Sequence, residues 1–273
     1  MDIRVSILSD NVASAPAFMG EHGLSIMIET PNGSVLFDCG QSDVAVRNAR
    51  ILGIDLQKVE CIALSHGHYD HTAGLLHVLL ETGRKKVFAH PDAFLPRFFQ
   101  AGPIKRYIGI PFNDAAVRSS CEELMLSKEQ VELISGVYLT GEIERIPEYT
   151  YVEPNLYVER DGELTLDDFR DDQALVVETE DGMILITGCA HAGIANTVKY
   201  VGARFGKIRA IIGGTHLGLT DPKQLEPSIK VLKDIDCEKL IFTHCTGIRL
   251  IGAFMSEFGE RYAPGQSGMV LNF

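Results

Sequence analysis

The sequence predicts an α/β fold in which β-sheets are covered by outer helices, and three features carry that expectation. Apolar residues make up 45% of 273 positions, enough for a sizeable core, while charged residues stand at an ordinary 23%. Strand-like runs crowd the N-terminal third. From about residue 173 onward, strands alternate with helical segments to the end.

Ile3 to Leu8 reads as the first strand and Leu24 to Thr30 as the second. Pro31-Asn32-Gly33 signals a turn, and Ser34 to Phe37 returns as the other half of a hairpin, ending in Asp38-Cys39-Gly40. Ser42 or Asp43 caps a helix to about Leu52, stopped by Gly53. A strand follows at 60–65, then a helix carrying Leu75, Leu76, Leu79 and Leu80 on one face, then a strand from Lys85 closed by Pro91. Residues from about 92 to 172 lose clear periodicity and read as one lid or cap inserted into a single domain spanning 1–273. The acidic cluster from Asp161 to Asp172 reads as a solvated hairpin and loop. Strands resume at 173–177, 183–186, 208–212 and 239–242, with helices near 194–205, 222–234 and 247–258.

Composition narrows the function. A net charge of −12 argues against binding nucleic acid but leaves a small anionic substrate open, because a bound metal reverses the local potential. No run has the apolar length of a membrane span, and Met1-Asp2-Ile3-Arg4 leads into a strand rather than a signal peptide. The six cysteines are scattered without C-x-x-C spacing, which suits a reducing compartment, so a cytoplasmic location is expected. The sequence carries no signal of oligomeric state.

The chemistry concentrates in His66-Gly67-His68-Tyr69-Asp70-His71. Residues two apart on an extended segment face the same side, so His66 and His68 grip one cation, while Asp70 and His71 face a second position. Imidazole with carboxylate is the ligand set of zinc, iron or manganese. Other candidate ligands also follow strands: Cys189 and His191 after 183–186, His216 after 208–212, and His244 after 240–242. A structural zinc site is closed and four-coordinate, and this set has too many ligands for one ion.

The 66–71 run, preceded by Asp38 after a hairpin strand and followed by strand-end histidines, resembles the metallo-β-lactamase superfamily over nearly the whole chain. That resemblance implies an αββα sandwich of two packed sheets, with one or two divalent metal ions, zinc before iron or manganese, at one edge. It implies that His66 and His68 bind the first metal, that Asp70 and His71 bind the second, and that Asp38 buttresses the loop. The usual third histidine and the bridging aspartate are missing: no histidine lies between His90 and His191, and Cys189 stands where the aspartate is expected. His191 then supplies the third imidazole, Cys189 is either a thiolate ligand or a small buried residue, and His244 is the final ligand. His216 is either a ligand in place of His244 or a proton donor beside the metals, with the second role favoured.

The phrases Gly188-Cys189-Ala190-His191-Ala192-Gly193-Ile194, Gly213-Gly214-Thr215-His216-Leu217 and Thr243-His244-Cys245-Thr246-Gly247 are similar to one branch of that superfamily, as are Leu139-Thr140-Gly141-Glu142-Ile143 and Asp172-Gln173-Ala174-Leu175. The branch is named for 7,8-dihydropterin-6-methyl-4-(β-D-ribofuranosyl)aminobenzene-5′-phosphate synthase. It implies transfer of an arylamine to a dihydropterin diphosphate. Arg97, Lys105 and Arg106 are candidates to clamp phosphate, and Phe98, Phe99 or Tyr107 to stack on a flat ring, the other reading of these residues being surface charge and local core. The alternative is a metallo-hydrolase, a phosphodiesterase or esterase, in which Asp70 orients a metal-activated water or accepts its proton and His216 protonates the leaving oxygen.

Overall fold

Strands that are apolar on both alternate positions need cover on both faces. The computed structural model, which describes residues 3–150, 153–219 and 222–273, provides it. Met1-Asp2, at the start of the chain, and Tyr151-Val152, inside the expected cap, lie outside the described residues. In chain order, β1 (Arg4–Ser9), β2 (Ser25–Thr30) and β3 (Gly33–Phe37) precede α1 (Val44–Ile51) and β4 (Cys61–Ala63). The short α2 (Tyr69–Thr72) and α3 (Leu75–Thr82) then lead to β5 (Lys86–Ala89). The middle of the chain holds β6 (Arg97–Ala101), β7 (Ile104–Tyr107), α4 (Asp114–Ser120), β8 (Glu123–Leu126), β9 (Val131–Ile134), β10 (Val137–Leu139), β11 (Leu156–Arg160) and β12 (Glu163–Leu166). The last part carries β13 (Ala174–Thr179), β14 (Gly182–Thr187), α5 (Ile194–Phe205), β15 (Ile208–Gly213), α6 (Pro222–Asp234), β16 (Lys239–Phe242), α7 (Ile251–Phe258), β17 (Tyr262–Pro264) and β18 (Val270–Asn272).

Two seven-stranded sheets result, in the orders β18-β1-β2-β3-β4-β5-β8 and β17-β16-β15-β14-β13-β10-β9. Strands β3, β4, β5 and β8 run parallel, as do β14 to β17. The period of two sorts the side chains. Ile26, Ile28, Val35 and Phe37 of the first sheet meet Leu175, Val177, Ile184 and Ile186 of the second in one core between the sheets. The intervening Met27 and Leu36 face α1, α3 and α4, while Val176, Leu185 and Ile211 face α5, α6 and α7. This is the αββα sandwich that the resemblance implied. No helix among the described residues is long and apolar enough to cross a membrane.

Several expectations change. Leu80 is 85% exposed; α3 buries Leu75, Val78, Leu79 and Thr82, and a helix advancing 100° per residue carries Leu80 round to the far side. Asp43 precedes α1, but its carboxylate pairs with Arg47 at 2.7 Å rather than capping the helix. Segment 92–172 is not one cap, because β8 joins the first sheet beside β5, and β9 and β10 extend the second. What remains is a separate antiparallel sheet, β12-β11-β6-β7.

Arg97 and the acidic cluster are the main corrections. Arg97 is fully buried, its Nε donating to Asp167 at 2.8 Å and its Nη2 to Asp171 at 2.6 Å, while Nη1 donates to the carbonyl of Asp92 at 3.0 Å. Its donors are committed to the protein, so it clamps no substrate phosphate. Asp167, Asp171 and Asp172 are buried, not solvated. The second oxygen of Asp171 accepts the N–H of Gly67 at 2.7 Å, which joins the four-stranded sheet to the histidine loop. Gly67 must lack a side chain there, since a Cβ would come within 2.0 Å of the Ala93 carbonyl. Removing one partner of a buried ion cluster leaves charge without compensation and costs about 3–5 kcal/mol. Arg97→Ala should lose stability of that order in urea unfolding; a loss below about 1 kcal/mol would contradict the anchoring role.

Candidate metal centre

The parallel strands of both sheets end at one edge of the sandwich, and the loops leaving those ends carry the reactive side chains. Asp38 follows β3, residues 66–71 follow β4, Cys189 and His191 follow β14, His216 follows β15 and His244 follows β16. Backbone strain gathers here. Six non-glycine residues among those described have positive φ, and five of them (Asp38, Phe169, Ala190, His216 and His244) belong to this edge. Such conformations persist only where the surroundings over-determine them, and they cluster at functional sites.

Ring orientation follows from the groups behind each imidazole. Asp38 accepts the Ser65 N–H and the Ser65 hydroxyl, each at 2.7 Å, and the His71 Nδ1–H at 2.7 Å. With its proton given to Asp38, the Ser65 hydroxyl accepts from His66 Nδ1 at 2.8 Å. His244 Nδ1 donates to the Asn11 side-chain oxygen at 2.8 Å, and the His244 backbone N–H donates to Asp10 at 2.7 Å. Three rings therefore spend their Nδ1 protons outward and turn Nε2 lone pairs inward.

Two positions result. At the first, His66 Nε2 lies 3.1 Å from His68 Nδ1, and the His191 ring sits 4.9 Å from each of theirs, stacked on Phe169. His191 Nε2 is buried with no hydrogen-bond partner, as is His68 Nε2. Burial, reinforced by the neighbouring imidazoles, holds His66 and His68 well below the usual histidine range and His191 at about 4. All three are neutral, the form that binds metal.

At the second position, His71 Nε2 lies 3.1 Å from Cys189 Sγ, and His244 Nε2 lies 3.2 Å from Asp70 Oδ2. Burial opposes charge on His71, but Asp38 outweighs it and lifts the ring to about 9. Cys189 Sγ lies within 4.8 Å of ligand atoms in both groups, His66 with His191 and His71 with His244, so it stands between the two positions. Burial pushes its thiol well above the ordinary range. Inward lone pairs, unpartnered ring nitrogens and a carboxylate at contact distance fit divalent metal ions.

His216 sits beside His191 with centroids 4.2 Å apart, and with Glu153 the two form a further group whose ligand atoms lie within 4.8 Å of one another. Its Nδ1 is 2.7 Å from Glu153 Oε1, and His191 Nδ1 approaches the same oxygen at 3.4 Å. Burial opposes charge on His216, yet the hydrogen bond and charge of Glu153 lift it to about 9. Burial also raises the Glu153 carboxyl, but the two histidines outweigh it and hold the group well below the usual range. Glu153 gives no sequence signal, being one carboxylate in an aperiodic stretch. Asp10 and Asn11 give a faint one: they follow β1 at the same edge as the other strand-end loops.

A cleft of about 440 Å³ opens onto the site, lined by His68, Asp70, His216 and Glu153 on the metal side. The facing wall carries Phe99 and Arg106 from the four-stranded sheet, and Tyr69 also lines the space. Of the residues expected to hold substrate, Arg106 and Phe99 are there. Lys105 covers the Phe98 ring at 4.2 Å, and the Tyr107 hydroxyl donates to the Ile110 carbonyl at 2.8 Å; neither lines the cleft. Strand alternation explains the split, since Lys105 and Tyr107 flank Arg106 and point to the opposite face of β7.

Comparison with known proteins accords with this arrangement. The metallo-beta-lactamase superfamily profile matches residues 19–244. A Methanocaldococcus jannaschii protein, 7,8-dihydropterin-6-methyl-4-(beta-D-ribofuranosyl)-aminobenzene-5'-phosphate synthase, is 30% identical over 100% of this chain and 97% of its own length. The uncharacterized protein MJ0448 of the same organism is 35% identical over 90% of this chain and 92% of its own. Among solved structures, Tm1679, described as a metal-dependent hydrolase of the beta-lactamase superfamily, superposes with a TM-score of 0.86 at 31% identity, covering 98% of both chains. Zinc-bound PqqB from Methylobacterium extorquens shares the fold, with a TM-score of 0.59 at 14% identity over 99% of this chain and 100% of its own. The chain belongs to the metallo-beta-lactamase superfamily.

Proposed function

We propose that this protein is a metal-dependent enzyme acting on a phosphorylated small molecule, and that its reaction joins an arylamine to a dihydropterin diphosphate. One observation carries the proposal. Overlapping groups of metal-binding side chains gather at one edge of the sandwich, and His68 and Asp70 among them line an open cleft that also presents a guanidinium and aromatic rings. A structural metal would be enclosed; an open floor serves a reacting molecule. The transferase assignment draws on the full-length relative named for that synthase. His66, His68 and His191 would hold one ion, and Asp70, His71 and His244 the other, with Cys189 between them. Imidazole together with a thiol is a soft donor set, which favours zinc over manganese.

When bound, the ions supply Lewis acidity that neutralises charge developing on phosphate oxygens. The remaining work belongs to the chain. Arg106 presents a planar fork of donors to phosphate, and its guanidinium lies 5.7 Å from the centre of the Tyr69 ring. Phe99 and Tyr69 offer faces to a flat heterocycle. The amine nitrogen bonds to the pterin methylene carbon as the carbon–oxygen bond to diphosphate breaks. Asp70 takes the amine proton, and His216, kept protonated by Glu153, gives a proton to the departing oxygen.

Hydrolysis of a phosphodiester or ester is the second reading, favoured by the same His216–Glu153 pair, which protonates a leaving alkoxide equally well. The two separate by one assay. Diphosphate release that requires the arylamine supports transfer; turnover of phosphodiesters or esters with water alone supports the hydrolase.

Two substitutions test the roles. His68→Ala should strip metal from the first position and abolish turnover, and full retention of metal would contradict the assignment. His216→Ala should cut kcat by about 10²–10⁴-fold with metal content unchanged. Loss of metal from that variant would make His216 a ligand instead.

A further inference from the structure

The loop between β1 and β2 brings one more imidazole to the centre. His22 Nε2 lies 3.2 Å from Asp70 Oδ2, and its ring centroid lies 5.0 Å from that of His244. One ligand atom from each of His22, Asp70 and His244 falls within 4.8 Å of the others. Among the described residues its other nitrogen meets the Asn11 side-chain nitrogen at 3.4 Å, a long contact, on a side chain 56% exposed at the cleft.

The segments on either side of His22 are tied down. The Glu21 carboxylate accepts the N–H groups of Gln41 and Ser42 at 3.0 and 3.2 Å, and the Ser9 hydroxyl at 3.1 Å. The Asn11 oxygen that orients His244 also accepts the Gly23 N–H at 3.3 Å. Gly23 presses against the histidine loop so closely that a Cβ would stand 2.7 Å from the Asp70 carbonyl, and that carbonyl accepts the Leu24 N–H at 3.1 Å. An ordinary exposed histidine needs neither a buttressed glutamate before it nor an obligatory glycine after it. This one is held against the carboxylate that the second metal position uses.

We infer that His22 is a further ligand of the second metal position, joining Asp70, His71 and His244 from the cleft side. The inference rests on the two-metal reading above. It also answers a chemical need. The aspartate that usually joins the two positions in this superfamily is replaced by Cys189. A fourth protein ligand at the second position makes up for the missing carboxylate.

The test is titration of metal-free protein with zinc against a chromophoric chelator, repeated with cobalt(II) to read the ligand-field bands of each equivalent. Wild type should bind two equivalents. His22→Ala should bind the first with unchanged affinity and the second about 100-fold more weakly, with shifted cobalt bands for that equivalent only. Its thermal unfolding without metal should match wild type, since the side chain is largely solvent-facing. Two equivalents bound by His22→Ala with wild-type affinities and unshifted bands would overturn the inference while leaving the metal centre standing. Fewer than two equivalents in wild type would overturn the two-position reading and this inference with it.

Discussion

The Asp38 carboxylate is the interaction on which the rest of the centre depends. It is fully buried, which is costly for a carboxylate unless donors surround it, and it is met by the Ser65 N–H, the Ser65 hydroxyl and His71. Through these donors it orients His71 directly and His66 through the serine hydroxyl. It also sits at the seam between the sheets. Gly188, at the end of β14, packs so tightly there that a Cβ would lie 2.1 Å from the Ser65 hydroxyl and 3.2 Å from Asp38. The ligand loop of the second sheet thus reaches the first because residue 188 has no side chain. One carboxylate sets ring tautomer, ring direction and the approach of Cys189 together.

Environment divides the histidines by role. His66, His68 and His191 have imidazole neighbours, and burial outweighs the carboxylates near them, so they stay neutral. His71 and His216 each face a carboxylate, which reverses the sign of the shift. His216 is thereby kept as a proton donor, whereas His71 would release its Nε2 proton on taking a metal ion. The four-stranded sheet belongs to this chemistry, because the turn leading into β11 supplies Glu153 and its strand β7 supplies Arg106. Arg97, Asp167 and Asp171 bind that sheet to the loop carrying His66 and His68.

Legibility in the sequence followed the range of the interaction. The histidine run could be read because its ligands are neighbours in sequence: His66 and His68 lie beyond the end of β4, in the loop leading to α2, and the structure brings them to 3.1 Å. The strands could be read for the same reason, since a period of two needs only neighbouring residues. Arg97 could not, because its partner Asp171 lies 74 residues away and an arginine in an aperiodic stretch reads alike whether buried or solvated. The aspartates of 167–172 misled for the complementary reason: charge density resembles solvation until the buried cation is known. His22 and Glu153 were hidden because each is a single side chain whose partners come from other loops. Cys189 was legible only as a vacancy in the family pattern, and the fold supplied what the pattern lacked, its position between two groups of ligands.

The most direct test of the account is anomalous diffraction at the zinc edge from crystals of the zinc-loaded protein. The account predicts two ions per chain, one held by His66, His68 and His191 and one by Asp70, His71 and His244, joined by His22, with Cys189 between them. A single ion, or ions held by other side chains, would contradict it.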